Sequence, residues 1–151
     1  MGVPDTSVPP GSGLSFCTAA RVRKTARVVS QIFDRHLEPY GLTITQFGLL
    51  AYINTFDGIG IGELAEKLVM DPTTVTRNLR PLQSRELVAL AADPKDRRAR
   101  RLHLTAAGRE AFKTAKPGWA RAQREVETAL GPAETTALHD ALDRALVRLV
   151  E

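Results

Sequence analysis

Hydrophobic residues recur at helical spacing along most of the chain and alternate in one short stretch only. Residues 14–37 lack proline and glycine and carry apolar side chains near a period of 3.6, which predicts a long first helix. The segment 38–41 is expected to end it, since Pro39 disfavours helix in the residue before it and Gly41 tolerates left-handed geometry. We expect Thr45 to cap a second helix.

Two short helices follow with a tight connection between them. Residues 61–68 place apolar side chains at i, i+3, i+4 and i+7, which predicts an amphipathic helix. Asp71 and Pro72 supply an N-cap and a first-turn proline for the next helix. Pro81, inside that helix, predicts a kink or an early end because it lacks an N–H group. The pair predicts a helix-turn-helix.

The outward face of the second helix of this pair carries hydroxyl and guanidinium groups and no carboxylate. A solubilising face would mix both signs of charge, whereas a helix in a phosphate-lined groove must exclude negative charge and offer donors. Threonine can bond a phosphate or a base edge, and arginine can reach guanine with two hydrogen bonds. The candidate DNA-binding residues here are Thr73, Thr74, Thr76, Arg77 and Arg80. The alternative is an ordinary solvated polar face.

A β-hairpin is predicted after this pair. Residues 87–90 form a strand-like run, residues 91–101 are turn-rich, and residues 102–104 alternate. The tip, residues 93–101, holds five basic and two acidic side chains. A basic hairpin directly after a helix-turn-helix is typical of a wing that lays arginine in a minor groove, whereas the alternative is a solvated charge run. Its candidate contacts are Arg97, Arg98 and Arg100.

The C-terminal part of the chain is predicted to be helical. Thr105 is expected to cap a long helical region that Pro117 and Gly118 bend or divide. Gly131 and Pro132 separate it from a terminal helix whose apolar side chains repeat at three- and four-residue spacing. Amphipathic helices stand at both ends of the chain, and a lobe this small cannot bury all of their apolar faces. The simplest explanation is that these faces pack between two copies of the chain.

These elements give a fold class and a division of the chain. We predict a mainly α protein with a small β-hairpin, a winged helix-turn-helix that dimerises through its N- and C-terminal helices. The dimerisation helices occupy residues 14–44 and 106–151 of a single domain that spans 14–151. The winged helix-turn-helix lobe occupies residues 45–105, and residues 1–13 are predicted to be a flexible leader.

Composition and charge narrow the class of protein. The length of 151 residues suits one globular domain, and the net charge of +4 favours an anionic partner. No apolar run is long enough to span a membrane, and residues 1–13 lack a secretory pattern, so we expect no membrane association and a cytoplasmic location. The single Cys17 and three separated histidines predict neither a metal site nor a cofactor.

Three other functional classes fit the sequence less well. An enzyme needs a convergent nucleophile, base and orienting group, or a metal, and no such motif is present. A single-strand or RNA binder stacks bases on aromatic side chains, but only 5% of the residues are aromatic and none lies in the basic segments. A purely structural dimerisation module would leave the carboxylate-free helix and the basic hairpin without a purpose.

The chain from residue 14 onward resembles the MarR (multiple-antibiotic-resistance regulator) family of bacterial winged-helix transcription factors. The family's entry motif is matched by Leu-Thr-Ile-Thr-Gln-Phe at residues 42–47. Its helix-turn-helix pattern is matched by Glu-Leu-Ala at 63–65 and Thr-Arg-Asn-Leu at 76–79. Its wing pattern is matched by Asp-Arg-Arg at 96–98 and Leu-Thr-Ala-Ala-Gly at 104–108. Several matches in the right order make the resemblance specific.

The resemblance implies a homodimer that places two recognition helices and two wings on a pseudo-palindromic double-stranded operator. By the same resemblance, Thr76 and Arg77 become groove contacts, Arg98 the wing-tip residue, and Asp96 the carboxylate that holds the wing arginine in position. Such proteins usually repress transcription and are released by a small aromatic or lipophilic acid, or by oxidation of a cysteine.

A candidate effector site is expected where the two lobes join. Phe16, Arg21, Tyr40 and Phe47 would line an apolar crevice, with Arg21 pairing the carboxylate of an aromatic acid. One alternative is redox sensing by Cys17, although the family spacing would put a sensing cysteine near residue 19. The other alternative is that these residues only fill the core and that the protein has no small-molecule effector.

Overall fold

The computed structural model describes Gly13 and residues 16–150; apart from Gly13, the predicted leader lies outside the described residues. The helices are α1 (Thr18–Leu37), α2 (Ile44–Thr55), α3 (Ile61–Leu68), α4 (Pro72–Ser84), α5 (Ala106–Leu130) and α6 (Pro132–Val150), and the strands are β1 (Ile59–Gly60), β2 (Val88–Ala92) and β3 (Arg100–Leu104). The predicted mainly α winged helix-turn-helix fold is therefore confirmed. In the described part of the chain, no helix is long and apolar enough to cross a membrane.

The first helix begins later than predicted and ends where predicted. Within the described residues α1 starts at Thr18 with Cys17 as its N-cap, whereas the sequence suggested residue 14. It ends at Leu37, and a 3-10 turn over Glu38–Tyr40 leads to Gly41. Gly41 has a φ of 67°, the left-handed conformation that glycine adopts most easily.

The predicted cap of the second helix is wrong: α2 is capped by Thr43 and not by Thr45. The Thr43 hydroxyl accepts a hydrogen bond from the Gln46 backbone N–H at 3.2 Å. In return, the Thr43 backbone N–H donates to the Gln46 side-chain oxygen at 3.1 Å. This reciprocal capping box satisfies two N–H groups at once, so it starts the helix at Ile44.

The helix-turn-helix forms as predicted, except at Pro81. The Asp71 carboxylate accepts hydrogen bonds from the backbone N–H groups of Thr73 and Thr74 and so caps α4. Pro81 does not end α4, which continues to Ser84. Because it lies only three residues before that end, its missing N–H removes one hydrogen bond and leaves the rest of the helix intact.

A three-stranded antiparallel sheet replaces the predicted two-stranded hairpin. The strand order is β1-β3-β2, and Ile59 of β1 pairs with Leu102 of β3. We call β2, β3 and the loop between them the wing. Both wing strands are longer than predicted, so Arg100 and Arg101 lie in β3 and not in the loop.

Helix α5 runs unbroken for 25 residues, so the predicted division at Pro117 and Gly118 does not occur. Gly118 is buried because α1 and the turn after it pass very close to it. A Cβ at this position would lie 2.5 Å from the Tyr40 ring and 2.7 Å from the His36 carbonyl oxygen. Glycine is therefore explained by a close helix contact rather than by a break in the helix.

The main buried core joins the helix-turn-helix and the wing to α2 and to the end of α1. Its largest fully buried side chains are Leu37, Leu50, Ile53, Leu64, Val75, Leu79, Leu82 and Leu102. A smaller cluster of Phe33, Ala122 and Val126 joins α1 to α5. The core thus fixes α4 and the wing on one framework and connects that framework to the long α5.

Candidate nucleic-acid interface

Helix α4 buries one face and exposes the face that the sequence marks as DNA-contacting. Val75, Leu79 and Leu82 are buried in the core. Thr73, Arg77 and Arg80 are exposed, whereas Thr74 and Thr76 are half-buried. Residues 72–84 include no acidic residue, and the carboxylate of the exposed N-cap Asp71 is bonded to the start of the helix.

The three threonines of this face differ in what their hydroxyl groups can still donate. The Thr74 hydroxyl donates to the Asp71 carboxylate, which is the largest cause of the lowered pKa of Asp71. The Thr76 hydroxyl donates to the Pro72 carbonyl at 2.8 Å. A phosphate oxygen only accepts hydrogen bonds, so Thr74 and Thr76 would have to leave these partners to bind it. The Thr73 hydroxyl also interacts with the Asp71 carboxylate, but it lowers the pKa of Asp71 less than the Thr74 hydroxyl does.

The wing loop is held in shape by two aspartates that accept hydrogen bonds from its own backbone. Asp93 accepts from the Lys95 N–H at 2.8 Å, and Asp96 accepts from the Arg98 N–H at 3.0 Å. Asp96 thus contacts the backbone of the predicted wing-tip residue. The effect of Asp96 on DNA binding, through its support of the wing, stays a prediction.

Four cationic side chains of the wing are exposed: Lys95, Arg97, Arg98 and Arg100. Among the described residues, the structure records no ion pair for any of them. Arg101 differs, because its Nε donates to Asp93 at 2.9 Å and its Nη1 reaches the Gly58 carbonyl at 3.4 Å. The internal Asp93–Arg101 pair is neutral, so the positive excess of the wing remains on exposed side chains.

The base of the wing is braced by contacts that the sequence did not reveal. Arg101 helps to lower the pKa of Asp93, after the larger effect of the Lys95 backbone N–H. On the same face of β3 as Arg101, the His103 Nδ1 atom lies 2.9 Å from the Asp57 carboxylate, which joins the strand to the loop after α2. These partners are 8 and 46 residues apart in sequence, so only the folded sheet brings them together.

The start of α5 is locked to Leu87, the residue directly before the first strand of the wing. The Thr105 hydroxyl caps α5 by accepting from the Gly108 N–H at 2.9 Å, as predicted for Thr105. The Thr105 N–H donates to the Leu87 carbonyl at 3.1 Å. A Cβ on Gly108 would lie 1.9 Å from that same carbonyl oxygen, so only glycine fits. The Leu-Thr-x-x-Gly motif therefore fixes the wing to α5.

The end of α4 is also tied to the rest of the molecule. Arg85, the residue after α4, donates from Nη1 to the Gly41 carbonyl at 2.6 Å. This bond joins the end of the helix-turn-helix to the turn between α1 and α2. Sequence reasoning missed Arg85, because its partner is 44 residues away and no local pattern marks it.

An apolar crevice of about 470 Å³ lies between α2 and α5. It is lined by Ile44, Phe47, Gly48, Ala51, Tyr52, Phe112, Lys116, Trp119 and Ala120. The Phe47 ring stacks on Trp119 at 6.2 Å between centroids and tilts against Phe112 at 5.1 Å. The Lys116 ammonium lies 4.9 Å from the centre of the Phe112 ring. The crevice thus combines aromatic walls with one positive charge.

The structure brings only one of the four predicted effector residues into the lining of this crevice. Phe47 contributes a wall, while Phe16 is 91% exposed. Arg21 is exposed on α1, and the Tyr40 hydroxyl accepts a hydrogen bond from Arg121. The cation at the crevice is Lys116. The sequence signal for Lys116 is its position on the same helix as Phe112 and Trp119. The spacing of these aromatic residues, however, is typical of the buried face of a helix.

Known proteins with similar sequences and structures are transcriptional regulators. A sequence model of the MarR family matches residues 40–99. The HTH-type transcriptional regulator YdgJ of Bacillus subtilis (strain 168) is 30% identical over 132 residues, which cover 86% of this chain and 80% of YdgJ. Two solved structures are similar as well. The M. tuberculosis transcriptional regulator MosR in complex with DNA is 36% identical, with a TM-score of 0.74, and the match covers 87% of this chain and 97% of MosR. The transcriptional repressor CouR bound to a 23-mer DNA duplex is 26% identical, with a TM-score of 0.81, and the match covers 93% and 99%.

Proposed function

The chain belongs to the MarR family of transcriptional regulators, and we propose that it acts as a homodimeric repressor bound to a pseudo-palindromic duplex operator. The family and these relatives are DNA-binding regulators and not enzymes. One observation carries the proposal: an exposed helix face without carboxylates stands beside a braced, basic wing. In this proposal α4 enters a major groove and the wing reaches the flanking minor groove.

The roles of the individual residues follow from their donors. Arg77 and Arg80 are exposed guanidinium groups on α4 and would read base edges or hold phosphates. Thr73, the exposed one of the three threonines, would donate to a phosphate after giving up its weak contact with Asp71, whereas Thr74 and Thr76 would have to release stronger local partners. Arg97, Arg98 and Arg100 would follow the minor groove or its phosphates, where a narrow groove concentrates negative potential.

Uncovered apolar surface supports the homodimer. Leu142, Leu146 and Leu149 of α6 are all exposed, Leu149 to 83%. Val22 lies on the same face of α1 as the buried Phe33, eleven residues later, yet it is 49% exposed. A second copy that packs its own α1 and α6 here would bury these side chains at a symmetric interface.

Repression and location are further parts of the proposal. CouR is a transcriptional repressor in complex with DNA, and its likeness to this chain supports the same sign of regulation. A protein that binds operators must reach the chromosome, so we place it in the cytoplasm.

An aromatic acid is the effector class that the α2–α5 crevice fits best. Its ring would stack among Phe47, Phe112 and Trp119, and its carboxylate would pair with Lys116. This assignment replaces Arg21 by Lys116 as the pairing cation. Two alternatives remain: oxidation of Cys17, which is half-buried at the start of α1, and a DNA-binding dimer without any effector.

The test begins with selection of duplex fragments from random or genomic DNA. Arg77→Ala is then compared with Lys113→Ala, which removes one exposed charge outside α4 and the wing. We expect Arg77→Ala to cost about 1 to 3 kcal/mol of binding and to relax base preference at one position per half-site. Lys113→Ala should bind like the wild type, and affinity should fall steeply with salt. Failure of the wild type to bind any selected duplex at low salt would refute the proposed function.

A further inference from the structure

The turn between α3 and α4 contains a strained residue. Val69 has a φ of 51° and a ψ of 46°, the left-handed conformation. Its N–H donates to the Glu66 carbonyl at 3.1 Å, and the Met70 N–H donates to the Ala65 carbonyl at 2.9 Å. This pattern at a helix C-terminus favours glycine, because a β-branched side chain is crowded in the left-handed conformation.

Packing does not explain why valine occupies this position. The Val69 side chain is 64% exposed, so little of its apolar surface is buried in return for the strained backbone. The other non-glycine residue with positive φ in the described chain is Glu86, two residues after the end of α4, with a φ of 56°. Glu86 is polar and exposed, as expected for a surface turn, whereas Val69 presents two methyl groups to solvent.

Val69 lies in the part of the helix-turn-helix that would face the bases of bound DNA, so its methyl groups could contact them. Val69 lies two residues before Asp71, the N-cap of α4, and the exposed Thr73 follows in the first turn. When such a helix lies in a major groove, its N-terminal residues meet the base edges. Thymine is the base that displays a methyl group there, and apolar side chains recognise it.

We propose that Val69 is a specificity-determining residue whose side chain contacts the C5-methyl group of a thymine in each half-site. This inference rests on the proposed function, since it requires α4 to lie in the groove. Burial of one methyl group corresponds to about a fourfold change in affinity at 25 °C. A dimer makes the contact twice, so loss of both contacts should weaken binding by about fifteenfold.

The experiment exchanges thymine for uracil in the selected operator, one symmetric pair of positions at a time. Uracil lacks only the methyl group, so base pairing is kept. Wild type is compared with Val69→Gly and Val69→Asn, both of which suit the left-handed conformation. Glu86→Gly is the matched control, because it relieves the other positive φ of the described chain, just after α4, without removing an apolar group.

We expect one symmetric thymine pair at which uracil weakens the wild type and Glu86→Gly by about fifteenfold. At that pair, uracil should have no effect on Val69→Gly or Val69→Asn, which already bind thymine DNA more weakly. The inference is overturned if every thymine pair responds to uracil equally in wild type and both Val69 variants. In that case the proposed function stands, provided the wild type binds its operator. If the wild type binds no duplex, the proposed function and this inference fail together.

Discussion

Replacement of Gly108 by alanine tests whether the Leu-Thr-x-x-Gly motif is a steric lock between α5 and the wing. The added Cβ would lie 1.9 Å from the Leu87 carbonyl oxygen and 2.9 Å from its carbonyl carbon. Both are backbone atoms, so no side chain can rotate away. Cβ and oxygen must separate by about 1 Å or more to reach an ordinary contact.

That separation breaks local hydrogen bonds. The bonds from the Thr105 N–H and the Thr105 hydroxyl to the Leu87 carbonyl are already 3.1 and 3.3 Å long, so both would exceed hydrogen-bond distance. Overpacking of this kind costs about 1 to 3 kcal/mol, and each lost hydrogen bond costs about 1 kcal/mol more. Alanine returns up to about 1 kcal/mol through its higher helix propensity. We therefore expect a net loss of about 3 kcal/mol in the free energy of unfolding.

Thermal unfolding followed by circular dichroism measures this loss, at one protein concentration because dimer stability depends on it. A loss of about 3 kcal/mol should lower the Tm by about 10 °C for a chain of this size. Gly48→Ala is the control: Gly48 lies inside α2 with open space where its Cβ would be, so alanine should raise stability by about 0.5 to 1 kcal/mol. A Gly108→Ala protein that melts within about 2 °C of the wild type would refute the steric lock.

Three further predictions concern the dimer, the crevice and the wing. Leu146→Glu should place a charge in the proposed interface and halve the mass measured by light scattering from twice 16.5 kDa, whereas an unchanged dimer would contradict the use of α6. Lys116→Met should abolish release of operator DNA by salicylate-like acids while Lys113→Met keeps it, and equal release by both variants would remove Lys116 from the site. Because the pKa of Asp93 lies below its ordinary value of 3.8, its stabilising contacts are complete above about pH 5 and are lost as the pH falls through the lowered pKa. Asp93→Asn should therefore be less stable than the wild type at neutral pH and equal to it in strong acid, and a constant difference across this range would contradict the assignment.

Local signals predicted the helix-turn-helix well. Helix α3 has the predicted bounds because its apolar spacing is regular, and α4 begins after Asp71 because the cap and Pro72 are adjacent in sequence. The N-cap of α2 was predicted wrongly because two threonines, Thr43 and Thr45, stand near the start of this helix. The reciprocal bonds with Gln46 decide between them, and that Thr-x-x-Gln spacing is itself a sequence signal.

Tertiary contacts account for what the sequence did not predict. Strand β1 has two residues, too few for an alternating pattern, and exists because Ile59 and Gly60 pair with β3 about 40 residues later. The crevice forms because Phe47 meets Phe112 and Trp119 from a helix more than 60 residues away. Residue chemistry suggested an aromatic site with a cation, but only the packing of α2 on α5 identifies Lys116 as that cation.

The position of the crevice connects the proposed effector with the DNA-binding surface. Helix α5 is continuous from the wing, where Thr105 bonds the Glu86 and Leu87 carbonyl oxygens, to α6 and the proposed dimer interface. We propose that a ligand wedged between α2 and α5 shifts the wing and α4 relative to the second copy, because the Gly108 contact joins the start of α5 to the wing. Two recognition helices fit one face of the duplex only at a fixed separation. A ligand that prefers the altered separation by about 1.4 kcal/mol would lower DNA affinity tenfold. A ligand therefore needs only this small preference for the altered separation to release the DNA, and the Gly108 contact is the connection from the crevice to the wing.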